Sequence, residues 1–413
     1  MKKILATLLC LFSLLLGACS NSLPSSEVDN PYHNIAITTK SVEGLDNGFI
    51  MGMDASSVIS LENSKVKFLN EDDKEEDVFK TLSEHGVTHI RIRVWNNPYD
   101  EEGHGYGGGN CDLKNALEIG KRASKFGLKL IINFHYSDFW ADPKIQKAPK
   151  EWMSYSLSQK REALYNFTKE SLQTLKDNEV NVAIVQVGNE TTTGICGETS
   201  WENMCLLFSE GSKAVREALP NALVALHFTN PENGYFSTIA KTLSDNNVDY
   251  DIFGTSYYPY WHGTLDNLKD TLDSVATTYN KKTMILETSY CYTREDTDGH
   301  PNTSPSEEDF LPHDISIQGQ YDQIYDVINT AKDITNCLGV CYWEGTWISV
   351  NAGSYSENKA LWEKYGSGWA TSYAYSYMPE IVGTWYGGSA VDNQAFFNEK
   401  GQLLPSIKVF MQN

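Results

Sequence analysis

The sequence predicts an α/β fold, a single (β/α)8 barrel over residues 46–413, on three observations. Short apolar runs with strand character recur along the chain, helix-sized amphipathic segments separate them, and polar or acidic residues gather at the trailing ends of the runs. Strands divided by helices require parallel crossovers. Eight such units favour closure, although an open doubly wound sheet with accessory strands also satisfies the pattern.

The strand candidates, in order, are FIMGMD (49–54), THIRIRVW (88–95), LKLIINFH (128–135), VNVAIVQVGN (180–189), ALVALHF (222–228), YDIFGTSYY (250–258), TMILETSY (283–290) and LGVCYWE (338–344). Between them lie helical patterns. In DLKNALEIGKRASKFG (112–127), Asp112 suits the N-cap, apolar residues recur at three and four spacing, and Gly127 suits a left-handed stop. The segment EEDVFKTLSEHG ends in the same way at Gly86. Alternation in the second strand sends Ile90, Ile92 and Val94 to one face and Arg91, Arg93 and Trp95 to the other, so both arginines point into the barrel.

Asp54, Trp95, His135, Glu190, Glu287 and Glu344 fall at or just beyond the trailing end of a strand candidate, the end where barrels of this kind carry their chemistry. Glu190 closes the fourth strand and Glu287 the seventh. In a closed barrel these strands stand across the mouth, so two carboxylates can flank one bond. One would be held protonated as a general acid and one ionised as a nucleophile, the pairing used in glycosidic cleavage. Asn189 can hydrogen-bond the 2-hydroxyl of the sugar whose bond breaks. An arginine beside Glu287 is expected to lower its pKa and keep it ionised, while the less compensated Glu190 keeps a proton. Trp140, Tyr258, Trp261, Trp343 and Trp347 follow strand ends and offer flat faces for sugar rings.

Charge narrows the partner. With 33 Lys and Arg against 54 Asp and Glu, the net charge of -21 argues against nucleic acid, anionic lipid headgroups and polyanionic glycans, and favours a neutral ligand. Of the eight cysteines, Cys111, Cys196, Cys205, Cys291, Cys337 and Cys341 lie outside the N-terminal region. An exported protein could pair them, with Cys196 and Cys205 the nearest couple in sequence, but spacing does not fix connectivity.

Residues 1–18 hold Lys2 and Lys3, an apolar run from Ile4 to Leu16 and then small residues, the layout of a secretory signal and too short for a stable membrane span. The stretch Leu16-Gly17-Ala18-Cys19 resembles the bacterial lipoprotein box, which implies lipidation at Cys19. Polar, proline-bearing residues follow, so 19–45 is expected to be a tether. The expectation is an exported lipoprotein held to a membrane by its anchor. Ser20 is compatible with the outer membrane; which face displays the protein is left open.

Taken in order, "GMDASS", "HIRIRVWNNP", "NFHYSDFWADP", "QVGNE", "SYYPYWHG" and "ILETSY" resemble the arabinogalactan endo-β-1,4-galactanases of glycoside hydrolase family 53, from about residue 46 to the C-terminus. The resemblance implies a retaining clan A hydrolase with Glu190 as acid/base, Glu287 as nucleophile, Arg91 beside the nucleophile and Tyr258 as the strand-six tyrosine. The implied substrate is the β-1,4-galactan side chain of pectin, cut internally. In "EDTDGHPNTS", the alternating Asp296, Asp298, His300 and Asn302 could wrap a hard cation or form a solvated acidic loop. The resemblance implies a structural calcium there, completed by Ser389 and Asp392 of "SAVDNQAFF", with His300 offering its backbone carbonyl. Two other readings remain at this point: a clan hydrolase acting on mannan or xylan, and a glycan-binding lipoprotein with an inactive barrel.

Overall fold

A computed structural model describes residues 30–32 and 35–412 of the chain. The expected signal segment, Cys19 and the first part of the expected tether lie outside these residues.

Eight parallel strands close into a barrel in sequence order: β1 Ile50–Asp54, β2 His89–Val94, β3 Lys129–Phe134, β4 Val182–Val187, β5 Leu223–Phe228, β6 Ile252–Ser256, β7 Lys282–Thr288 and β8 Cys337–Tyr342. Closure through the β1–β8 ladder, with Gly52 opposite Cys341, rules out the open sheet. The helices between the strands start as the sequence chemistry dictates. The Asp112 carboxylate accepts from the Asn115 N–H ahead of helix Leu113–Lys125, and Asp77 accepts from the Phe79 N–H ahead of helix Val78–Glu84. Gly127 and Gly86, just beyond these helices, take φ of +78° and +87°.

Strand alternation divides the barrel in two. Ile90, Ile92 and Val94 face outward and join the large apolar layer between strands and helices. Inside, the N-terminal half is dry, filled by Ile50, Ile131, Ile184, Ala225, Ile252, Met284, Leu286 and Cys341. The C-terminal half is polar and equally buried, with Asp54, Arg91, Arg93, Asn133, Gln186 and His227 all at 0–1% exposure. The dry floor depends on small residues: a Cβ on Gly52 would stand 2.2 Å from Cys341 Sγ, and one on Gly254 would stand 2.2 Å from Leu286 Cδ1.

One irregularity aims a functional residue. Met284 and Leu286 face the barrel axis, so strict alternation would turn Glu287 outward. The pairing register shifts instead, with Thr255 opposite Ile285 but Ser256 opposite Glu287. The extra residue in β7 rotates Glu287 into the interior.

The strap formed by residues 38–42, inside the stretch expected as tether, lies along helix Ile317–Ala331. The Thr38 N–H donates to Gln318 Oε1 (2.7 Å), the Lys40 N–H to Tyr321 Oη (2.8 Å), and the Val42 N–H to Gln412 Oε1 (2.8 Å). The six cysteines in the described residues are free thiols, so Cys196 and Cys205 are not bridged. Among those residues, no helix is long and apolar enough to cross a membrane.

Candidate active site

The C-terminal mouth of the barrel opens into a cleft of about 730 Å³ whose walls include Glu190, Glu287, Asn189, His135, Tyr258 and a group of tryptophans. Glu190 lies three residues beyond the last ladder residue of β4, and it takes a left-handed φ of +45°. That conformation is costly for a side chain with a Cβ and persists only where neighbours hold it. Here the Glu190 N–H donates to His227 Nδ1 (3.3 Å), and its carbonyl accepts from the Thr192 N–H (2.8 Å).

The two carboxylates meet over one hydroxyl. Ser256 Oγ stands 2.6 Å from Glu190 Oε1 and 3.5 Å from Glu287 Oε2. These two distances cap the separation of the carboxylate oxygens at about 6 Å, below the ~6.5–9.5 Å that an inverting pair needs to admit a water. The partners of the two acids differ. Arg91 pairs with Glu287 Oε1 at 2.8 Å, and Tyr258 Oη donates to Glu287 Oε2 at 2.9 Å. Among the described residues, no lysine or arginine forms an ion pair with Glu190.

This asymmetry separates their proton affinities. Burial first, and then the charge of Glu287, push Glu190 up to about 8 from an ordinary 4.5. Glu287 departs from the sequence expectation: its pKa is raised rather than lowered, because burial outweighs the opposing pull of Arg91 and of the Tyr258 hydrogen bond. The expected ordering rests on those two stabilising partners, which Glu190 lacks.

Asn189 is fixed by both ends of its amide. Its Oδ1 accepts from Arg91 Nη2 (3.0 Å) and Asn133 Nδ2 (3.0 Å), and its Nδ2 donates to the Ala141 carbonyl (2.9 Å). With Oδ1 saturated, the second Nδ2 hydrogen is available at the cleft, where Asn189 forms part of the wall. Arg91 also donates to Asp54 Oδ2 (3.1 Å) and Gln186 Oε1 (3.1 Å), so one guanidinium braces β1, β4 and β7.

The sequence-derived site residues divide into two groups. His135, Trp140, Asn189, Glu190, Tyr258, Trp261, Glu287 and Trp343 line the cleft; Asp54, Arg91, Trp95 and Trp347 do not. Each of these four is completely buried. Trp95 donates from Nε1 to His135 Nδ1 (3.1 Å), and Trp347 donates to the Ser367 carbonyl (2.9 Å) while stacking on Trp369 at 5.5 Å. The expectation that Trp347 offers a face to a sugar, and that Trp95 reaches the substrate from the end of its strand, is therefore corrected: both support the wall from behind. Sequence reasoning missed Trp369, which lines the cleft and stacks on Trp140 at 4.7 Å, because it follows no strand. Glu344, at the end of β8, pairs with Arg93, accepts from Ser57 Oγ (2.9 Å) and is buried behind the cleft.

Away from the mouth, Asp296, Asp298 and Asp392 bring carboxylate oxygens within 4.8 Å of one another. Burial, and the charge of Asp392, push Asp298 up to about 8; Asp392 is pushed up to about 6, chiefly by burial. Asp392 Oδ1 and Asn302 Oδ1 are buried acceptors without a donor, as is His300 Nε2 without a partner. Ser389 lies alongside, its N–H donating to Asp298 Oδ2 (2.9 Å). Clustered acids and orphaned oxygens on two distant segments are the donor set a hard, oxygen-loving cation needs, so these residues fit calcium.

A closed parallel barrel with two carboxylates converging at its C-terminal mouth over one shared hydroxyl defines a class, the (β/α)8 hydrolases of glycosidic bonds. The model of Glycosyl hydrolase family 53 matches residues 50–410, and the chain belongs to that family. It is 54% identical to the endo-beta-1,4-galactanase of Bacillus subtilis (strain 168) over 402 residues, covering 95% of this chain and 94% of that protein. It is 30% identical to the arabinogalactan endo-beta-1,4-galactanase of Humicola insolens, covering 76% of this chain and 95% of the other. The solved Ignisphaera aggregans GH53 catalytic domain superposes with a TM-score of 0.81 at 34% identity, covering 91% of this chain and 99% of that one.

Proposed function

We propose that this glycoside hydrolase is an arabinogalactan endo-β-1,4-galactanase, cutting β-1,4-galactosidic bonds inside the (arabino)galactan side chains of pectin by a retaining double displacement. The observation that carries the reading is the carboxylate pair bridged by Ser256, with a cation on one member only. The names of the Bacillus and Humicola relatives supply the substrate. Glu287 attacks the anomeric carbon as Glu190 gives its proton to the leaving glycosidic oxygen; the C–O bond breaks and a glycosyl ester forms on Glu287. Glu190, now ionised, takes a proton from a water that attacks the same carbon and releases the sugar with its configuration kept. Asn189 donates to the 2-hydroxyl as positive charge develops on the ring. Trp140, Trp261, Trp343 and Tyr258 stack on or orient the sugars, with His135 beside them, while Asp54, Arg91, Trp95 and Trp347 hold those groups in place.

The test is digestion of linkage-defined β-1,4-galactan beside mannan and xylan, with NMR of the first-formed anomer. Internal cutting of galactan with β product is expected, and Glu287→Ala should lose turnover while still binding the polymer. Inverted product, equal cutting of xylan or normal turnover by that variant would refute the reading.

The Asp296, Asp298, His300, Asn302, Ser389 and Asp392 cluster is read as a structural calcium site tying the loop after β7 to the C-terminal segment, where a bound cation would supply charge neutralisation. The N-terminal features support an exported lipoprotein with residues 1–18 as signal peptide, a lipid anchor at Cys19 and a tether before the barrel, in the outer membrane or on the cell surface.

A further inference from the structure

Ser256 and His227 complete a hydrogen-bond circuit that begins and ends on Glu190. Two donors, the Glu190 backbone N–H (3.3 Å) and Gln186 Nε2 (3.0 Å), converge on His227 Nδ1, which makes that nitrogen an acceptor although Asn189 Oδ1 also lies 3.2 Å from it. The imidazole is completely buried at β5, and burial together with the nearby Arg91 pushes its pKa well below the ordinary value, so it is neutral. Its single proton therefore sits on Nε2 and is donated to Ser256 Oγ at 2.9 Å. Having accepted that bond, the hydroxyl spends its own proton on Glu190 Oε1 at 2.6 Å. Ser256 closes β6 at 0% exposure, so no solvent competes for either bond.

We infer that Ser256, aligned by His227, is a positioning residue for the acid: its hydroxyl holds Glu190 Oε1 as an acceptor and so confines the transferable proton to Oε2. The inference rests on Glu190 being the acid/base. Without the hydroxyl, the proton can sit on either oxygen and the carboxyl can rotate. When Glu190 turns into a base after the first displacement, the same donor steadies the new negative charge. Ser256 transfers no proton to substrate.

A leaving-group comparison tests this. kcat/KM would be measured on phenyl and on 2,4-dinitrophenyl β-1,4-galactotriosides; the first aglycone needs protonation to depart and the second does not. General-acid assistance is worth ~10²–10⁴, so Ser256→Ala should cost about tenfold or more on the phenyl substrate and less than about threefold on the dinitrophenyl substrate. His227→Gln, which keeps the hydroxyl but not its alignment, should lose in the same sense by a smaller factor. Glu190→Ala is the control, with a steeper split and turnover restored by azide. If Glu190→Ala shows that split and Ser256→Ala loses equally on both substrates, the inference fails and the acid assignment stands. If Glu190→Ala itself loses equally on both and azide does nothing, the acid assignment fails and takes the inference with it. Should circular dichroism show Ser256→Ala unfolded, the His227→Gln comparison decides: an equal loss on both substrates overturns the inference.

Discussion

Arg91 is the most consequential cation in the barrel, and replacing it by Met tests how the site is built. It is 0% exposed, pairs with Asp54 Oδ2 at 3.1 Å and Glu287 Oε1 at 2.8 Å, and donates to the side-chain oxygens of Gln186 and Asn189. Removing one partner of a buried ion pair and leaving the other unmet costs about 3–5 kcal/mol. At a specific unfolding entropy of ~2.1 cal/mol/K per residue, a chain of this size loses about 4–6 °C of melting temperature. Glu287 then lacks its cation, while Asp54 keeps Arg93 at 3.6 Å, so the pKa of Glu287 rises further. The acidic limb of the kcat/KM profile moves to higher pH, and neutral-pH activity falls by about a hundredfold or more. Arg91→Lys separates charge from geometry. An ammonium restores the charge but cannot reach Asp54, Glu287, Gln186 and Asn189 together, so it should regain more stability than activity. The assays are calorimetric melting and pH-rate profiles on β-1,4-galactan. An Arg91→Met enzyme with unchanged acidic limb and melting temperature would refute the claim that this guanidinium sets the charge of Glu287.

Three further outcomes follow from the same geometry. Activity on the alkaline side should fall around pH 8, where Glu190 loses the proton it delivers; stability should fall with it, because a carboxyl raised from 4.5 to about 8 contributes fully below pH 4.5 and loses that contribution as pH rises through 8. Glu190→Gln, which cannot ionise, should flatten that part of the melting-temperature profile. Chelation of calcium should lower the melting temperature by several degrees and expose the loop after β7 to protease, whereas Asp298→Asn should melt low and respond less to added calcium; an enzyme indifferent to both would refute the metal assignment. Gly52→Ala should destabilise by about 1–3 kcal/mol, read by urea unfolding, since the added Cβ would overlap Cys341 Sγ at 2.2 Å.

The barrel was legible because each strand is an apolar run short enough to cross it once and most crossover helices begin at a side-chain cap, helix Phe236–Asp245 being an exception. Asp112 and Gly127, for example, bracket their helix in both the sequence and the structure. The paired acids were legible for a related reason. A carboxylate at the end of a buried run has few places to go other than the mouth, and the cost of burying it makes the position informative. Depth was not legible. Trp95 and Trp347 follow strand ends as Trp140 and Trp343 do, yet whether an indole faces the cleft or its supporting layer depends on what packs over it, and Trp369 arrives from a segment with no strand before it.

The direction of the Glu287 shift was hidden for the same physical reason. Adjacency to an arginine can be inferred from alternation along one strand, but desolvation is a sum over the whole enclosing structure, and here it exceeds the attraction. The aim of Glu287 was hidden too. Read with period two from Met284 and Leu286, it belongs outside the barrel, and only the register shift against β6 brings it in. That shift sets Glu287 opposite Ser256, the residue whose hydroxyl also reaches Glu190. The irregularity in β7 and the meeting of the two acids are therefore one feature: a strand regular to its end would deliver Glu287 to the helix layer and leave Glu190 without a counterpart.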